Sequence, residues 1–351
     1  MKILHSADLH LDTPFTGRSR EQAQYLREQL LAVPEKLAKL CRREQCDLVL
    51  LSGDLFDGAY TKESLRTLRN ALEDCTVPVF ISPGNHDYVN HNSPYTGEHW
   101  PSNVHIFTHP RMETLLLQDL DCRVYGAGYR SMDCAGLLEG FRRQEDARYH
   151  IGILHGDPTQ TDSHCCPITG SQIRHSGLDY LALGHIHKGG QLRQGRTLCA
   201  WPGCPMGRGF DETGVKGALL VTLENSAHAQ FRPLDTPRFY EESLSPDMLS
   251  QRLPAAGTLD FYRMTLVGED PRLSLAELYE QFRRFPNLEL RDHRSTPAEL
   301  WGSAGADTLE GVYFQILQNA MKDADPESAE VIELAAKLSR QILDGQEVVL
   351  P

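Results

Sequence analysis

A chain of 351 residues is too long for one average domain and long enough to bury a large core beside a smaller second one. With 40% hydrophobic and 24% charged residues and no apolar run near the ~20 residues of a membrane span, it reads as an ordinary globular protein that does not cross a membrane. The formal net charge of −13 weighs against holding nucleic acid by bulk electrostatics, yet residues 301–351 carry nine acids against three bases, so almost half of that excess lies in the tail.

The start, Met1 to Asp8, lacks the apolar core of a signal peptide and reads as a first strand, which makes the expected location cytoplasmic. Short apolar runs then recur: Ile3-Leu4, Leu48 to Leu51, Val79 to Ile81, Ile151 to Leu154 and Tyr180 to Leu183, with further strands around Leu198 to Trp201 and Ala218 to Thr222. Helical spacing separates them, as in Tyr25, Leu26, Leu30, Val33, Leu37 and Leu40. Continuous runs of this kind suit strands covered on both faces, so the expected class is layered α/β.

From Glu224 to Gly257 the pattern degrades, with Pro233, Pro237, Pro246 and Pro254 punctuating it. The expectation is a first domain over 1–240, a connector over 241–257, and a second unit over 258–351. That unit reads as a strand over 259–268, a helix from Leu275 to Phe285 and a strand from Leu288 to Arg291, closed by two helices. The last two carry apolar stripes, Leu309, Val312, Tyr313, Ile316, Leu317 and Ala320 on one and Val331, Leu334, Ala335, Leu338 and Ile342 on the other, expected to pack into their own domain. Nine cysteines, an odd number without a Cys-x-x-Cys pair, are expected to be reduced thiols.

Five of the runs are followed at once by groups that bind metal: Asp8-Leu9-His10, Gly53-Asp54-Leu55-Phe56-Asp57, Gly84-Asn85-His86-Asp87, His155-Gly156 and Gly184-His185-Ile186-His187. In an open α/β sheet, ligands bind outside the carboxyl ends of strands, so five separate segments can converge there. The glycines beside them permit sharp exits and close backbone approach. Carboxylate, imidazole and one amide, without thiolate, favour manganese, iron or zinc over magnesium alone. Seven candidate ligands exceed a four-coordinate site, whereas two ions sharing one carboxylate use them all.

In order, these five motifs resemble those of the calcineurin-like metallophosphoesterases. Within that family, the stretch from Leu4 to Phe15, Ala182 to Lys188 and the trailing Pro202-Gly203 are similar to the SbcD nuclease branch, nearest to its YhaO-type bacterial members. Leu11-Asp12-Thr13-Pro14 departs from the best-known SbcD proteins, which have a glycine soon after the first histidine. The resemblance covers residues 1–240, and beyond them only the kind of fold is shared.

It implies an α/β/β/α metallophosphoesterase sandwich followed by a smaller α+β, capping-like C-terminal domain with terminal helices. It implies two divalent metal ions, manganese first with iron or zinc as alternatives: one on Asp8, His10 and His187, the other on Asn85, His155 and His185, with Asp54 bridging. His86 would then serve as acid for the leaving oxygen, Asp87 would orient its ring, and Asp57 would stand behind the ligands. DNA is the implied substrate and an SbcC-like coiled-coil ATPase the implied partner. A homodimer is the expectation from the frequency of two-fold oligomers.

Two other readings remain open. The acidic charge suits a phosphodiesterase or phosphatase for small nucleotides or phosphoprotein, and the fold can also serve as a non-catalytic scaffold, although scaffolds are expected to lose ligands. Lys62, Arg66, Arg69 and Arg208 are read as solvated surface before phosphate contacts.

Overall fold

The apolar runs of the first 238 residues become the centres of two facing β-sheets, seen in a computed structural model that describes residues 1–268, 274–294, 300–322 and 324–345. In chain order the strands are β1 (Lys2–Ser6), β2 (Leu48–Leu51), β3 (Val79–Ile81), β4 (Val104–Ile106), β5 (Glu113–Leu117) and β6 (Cys122–Gly126). There follow β7 (Tyr149–His155), β8 (Tyr180–Gly184), β9 (Gly190–Gln194), β10 (Thr197–Trp201), β11 (Gly217–Leu223) and β12 (Ala227–Pro233). One sheet has the order β12-β11-β1-β2-β3-β4 and the other β5-β6-β7-β8-β10-β9. The strands that carry the metal-binding motifs, β1-β2-β3 and β7-β8, pair in parallel, so their carboxyl ends lie side by side.

Alternation along the strands builds the layers. Ile3, Leu48, Leu50 and Phe80 of the first sheet meet Val124, Ile151, Ile153 and Ala182 of the second in one buried core. The intervening residues Tyr125, Leu154, Leu181 and Leu183 face the other way and pack with Ile173 of the short helix Gly170–Ser176. On the first sheet Leu4, Val49 and Leu51 are buried as well. The helical spacing from Tyr25 to Leu40 resolves into α1 (Arg20–Leu31), opened by a Ser19/Gln22 capping box, and α2 (Val33–Glu44), with Pro34 in its first turn. α2 packs on α3 (Lys62–Glu73), with Leu37, Leu40, Leu65 and Leu68 buried. The expected α/β/β/α layering is the observed one. Of the strands absent from the sequence reading, β4, β5, β9 and β12 lie at sheet edges and are half exposed, which removes the continuous apolar signal, whereas β6 is buried between β5 and β7 and its short apolar run is interrupted by Arg123.

The expected connector needs correction. The first unit ends at Arg238, and the residues expected as a connector over 241–257 are structured: Phe239–Leu244 is a strand parallel to Phe261–Leu266, and Leu249–Arg252 is a short helix with Leu249 and Leu253 buried. The prolines misled because they lie between elements or at their ends: Pro233 closes β12, and Pro246 opens a 3-10 turn. In the second unit the three strands Phe239–Leu244, Phe261–Leu266 and Leu288–Asp292 are all parallel, with the helix Leu275–Gln281 crossing between the last two. Tyr262, Met264, Leu278, Phe282 and Leu290 form its core.

The terminal helices run Leu309–Lys322 and Pro326–Leu343, and Gly345 follows at φ +68°. Their stripes are a second correction. Leu309 is 90% exposed, Ile316 62%, Val331 64% and Ile342 63%, whereas Leu317 packs on the buried Leu300, Phe314 and Ala336, and Gly311 is buried too. Residues beyond 345 in the expected terminal unit lie outside the described residues. No helix among the described residues is long and apolar enough to cross a membrane.

Candidate metal centre

Where β1 and β2 end, the chain does not separate. Asp8 N donates to Gly53 O (3.0 Å), His10 N to Asp54 O (2.9 Å) and Leu11 N to Leu55 O (2.9 Å), so the two loops stay zipped beyond the strands. Asp8, His10, Asp54 and His185 all hold left-handed backbone, with φ of +54°, +47°, +51° and +100°. Such conformations cost non-glycine residues about 1–3 kcal/mol each and persist only where the surroundings over-determine them. The loop after β3 closes on them so tightly that a Cβ at Gly84 would overlap the Asp54 carboxylate, which only glycine avoids.

The five motifs meet, though not above one open sheet as expected: β1, β2 and β3 supply them from the first sheet, β7 and β8 from the second. Asp8, His10, Asp54 and His155 are at most 1% exposed. Asp54 Oδ2 lies centrally, 3.7 Å from His10 Nε2 and 3.3 Å from His155 Nε2. His10 Nε2 is 3.2 Å from His187 Nε2 on one side. On the other, Asn85 Oδ1 is 2.9 Å from His155 Nε2 and 3.3 Å from His185 Nδ1. Asp8, His10 and His187, and again Asp8, Asp54 and His155, bring ligand atoms within 4.8 Å of one another.

The hydrogen bonds around this cluster leave it short of positive charge. His155 Nδ1 donates to Ser52 O (2.8 Å), which in the neutral ring leaves the lone pair on Nε2, while His187 Nδ1 stands between Glu212 Oε1 (2.7 Å) and Arg208 Nη2 (3.0 Å). The His155 lone pair faces the Asn85 oxygen, and His187 Nε2 faces His10 Nε2. Asp8 Oδ1 accepts from His185 N (2.9 Å), but its buried Oδ2 has no partner among the described residues. Acceptors turned on acceptors and an orphaned buried carboxylate oxygen are costly unless a cation lies among them. The residues present therefore fit divalent metal ions. Burial opposes charge on His155, but Asp54 and Asp8 outweigh it and lift the imidazole to about 9; cations would reverse that balance and leave the ring neutral.

Residues 1–189 match the calcineurin-like phosphoesterase family. The chain belongs to this family. It is 34% identical over 241 residues to the metallophosphoesterase YhaO of Bacillus subtilis (strain 168), an overlap of 64% of this chain and 58% of that protein, so the matched part spans less than two thirds of YhaO. It is 23% identical over 337 residues to the SbcD subunit of the nuclease SbcCD of Staphylococcus epidermidis, covering 82% of this chain and 86% of that one. The SbcD subunit of Bacillus subtilis is 26% identical over 270 residues, covering 63% and 66%.

Around the phosphoesterase cluster, one expected role changes hands. Asp87 does not orient His86. Its buried carboxylate accepts from Gly84 N (2.8 Å), Leu55 N (2.6 Å), Asp54 N (3.3 Å) and Tyr95 Oη, and so ties the β2 and β3 loops together. The partner of His86 Nδ1 is Asp57 Oδ1, at 2.9 Å, and the same oxygen lies 3.4 Å from His10 Nδ1. Both imidazoles hold Asp57 well below the usual carboxylate range, and Asp57 in turn raises His86. The sequence placed Asp57 behind the ligands without giving it this partner.

The departing stretch after His10 also finds a purpose. Asp12 accepts from Thr61 N (3.0 Å) and Ser64 Oγ at the start of α3, and Thr13 Oγ1 donates to Asp57 Oδ2 (3.2 Å). Sequence reasoning missed Glu212 altogether. It is 5% exposed and holds both His187 and Arg208, whose Nη2 is 2.6 Å from Glu212 Oε1. Burial opposes its charge, yet His187 and Arg208 keep it well below the usual range. Its spacing of four from Arg208 was the available signal.

Proposed function

We propose that this chain is a two-metal phosphodiesterase that cleaves DNA, with manganese as its working ion and a coiled-coil ATPase as its partner. The observation that carries the reading is the position of Asp54 between His10 and His155, with the remaining expected ligands grouped on either side. Asp8, His10 and His187 would hold one ion, Asn85, His155 and His185 the other, and Asp54 both. Two divalent ions so held supply an activated water and charge stabilisation for in-line displacement at phosphorus. His86 then has a defined task. Asp57 fixes its Nδ1 and favours the protonated ring, leaving Nε2 to donate a proton to the departing oxygen.

DNA as substrate and an ATPase as partner are supported by the relatives named as SbcD subunits of the nuclease SbcCD. Exposed Leu309, Ile316, Val331 and Ile342 offer apolar area suited to a partner. A second reading, a phosphodiesterase for small nucleotides, draws on the net charge of −13, which disfavours a long polyanion. End-labelled DNA and bis-p-nitrophenyl phosphate, each incubated with manganese and wild type or His86→Ala, separate the two. Metal-dependent DNA cleavage that is lost in the variant supports the nuclease. Turnover of the small diester alone supports the second reading, and turnover of neither removes both.

A further inference from the structure

The cluster opens sideways. His187 lines one end of a cleft of about 390 Å³ that runs between β9 and β12, the edge strands of the two sheets. Trp201, Pro202, Val215 and Phe231 supply apolar wall. The indole Nε1 of Trp201 donates to Lys188 O (3.0 Å), which fixes the ring as a back wall. A Cβ on Gly190 would come within 2.9 Å of that nitrogen, so glycine lets the β9 backbone lie flat against the indole. Phe231, on the edge strand β12, is 45% exposed, and Val215, in the loop before β11, is 46% exposed, positions where a polar residue would cost nothing.

Charge in the cleft is opposite to that of the chain. Lys188 and Lys216 line it, no acidic residue does, and neither lysine makes an ion pair among the described residues. An exposed aromatic face, a dry back wall and two uncommitted ammonium groups, beginning at His187, fit one chemical class. Planar bases stack on aromatic side chains, and phosphates seek cations. The volume lies within the range of clefts that take small organic ligands.

We propose that this cleft binds the nucleoside attached to the scissile phosphate, with the base against Phe231 and Lys188 and Lys216 attracting the flanking phosphates. The assignment rests on the phosphodiesterase reading for the position of the scissile phosphate. It specifies that reading further, since the site would prefer nucleotides to simple diesters.

Two measurements test it. Thymidine 5′-monophosphate, titrated by calorimetry with manganese present, should bind Phe231→Ala about tenfold more weakly than wild type, the scale of one base–aromatic stack, whereas Phe231→Trp restores affinity. In kinetics, the kcat/KM ratio of thymidine 5′-p-nitrophenyl phosphate to methyl p-nitrophenyl phosphate should fall about tenfold in Phe231→Ala and severalfold in the Lys188→Ala/Lys216→Ala double variant. Equal nucleotide affinity in wild type, Phe231→Ala and Phe231→Trp overturns the cleft. If neither ester is hydrolysed by wild type, the phosphodiesterase reading fails, while the calorimetric comparison still decides for or against the base site.

Discussion

Two regions of this chain invert the usual burial rule in opposite senses. In the cluster at the strand ends, Asp8, His10, Asp54 and His155 are at most 1% exposed; in the terminal helices, Leu309 is 90% exposed and Ile316 62%. Buried carboxylates and imidazoles need counter-charge, and exposed aliphatic side chains need apolar cover. The residues of the first fit divalent metal ions. The first is also rigidly framed, by zipped loops and four left-handed residues, whereas the second lies on two helices with few buried side chains. A precise, charged ligand set belongs to the former, and the latter leaves apolar side chains in solvent.

The largest effect should come from the centre of the first region. Asp54→Asn is expected to abolish both manganese uptake, measured by elemental analysis, and diester hydrolysis; full metal content in this variant would break the assignment of Asp54 to both ions. Next comes His86→Ala. It should retain metal and lose about 10²–10⁴-fold in kcat, the usual contribution of a positioned acid. Loss of metal instead would make His86 a ligand, a role its proximity to His10 and Asp54 allows.

Glu212 sharpens the comparison from behind the ligands. Glu212→Ala should weaken metal affinity by about 10–100-fold, as removal of a histidine's supporting partner does, and Glu212→Gln should recover part of it by still accepting from His187 Nδ1. Equal affinity in all three proteins would show that His187 needs no support.

A fourth expectation concerns stability. Burial holds the His5 imidazole down to about 3, against 6.5 when exposed, while Tyr180 Oη and Ser52 Oγ bracket it at 2.7 and 2.9 Å. The folded state thus refuses a proton that the unfolded chain accepts. Stability is fully present above pH 6.5 and is lost as pH falls toward 3, by about 2 kcal/mol at pH 5. Urea unfolding at pH 8 and pH 5 should show that loss, and His5→Gln should shrink it; an unchanged difference would assign the acid sensitivity elsewhere. The smallest effect belongs to the second region. Ile316→Ser should alter unfolding free energy by no more than about 0.5 kcal/mol, whereas a packed isoleucine would cost several times more.

The five motifs were legible because each pairs a strand's apolar run with ligands set immediately at its carboxyl end. His185 and His187 after Leu183, or Asn85 after Ile81, advertise themselves locally. Edge strands such as β9 and β12 did not, since half of each faces solvent, and Phe239–Leu244 was hidden by the prolines around it. Asp57 and Asp87 show the limit most sharply. Adjacency in sequence gave Asp87 to His86, but successive side chains on a tight loop point apart, and the loop after β2 brings Asp57 to the ring instead.

The sequence by itself determined the layered α/β class, the family's motif set and the chemical identity of the ligands, because period, punctuation and residue type are local properties. Tertiary structure alone decided that two sheets rather than one supply the site, that Asp57 and Glu212 support its histidines, that a cleft between edge strands leads away from His187, and that the terminal stripes stay largely exposed. Those facts depend on which distant segments become neighbours, and that is fixed by packing between elements rather than by any pattern within one.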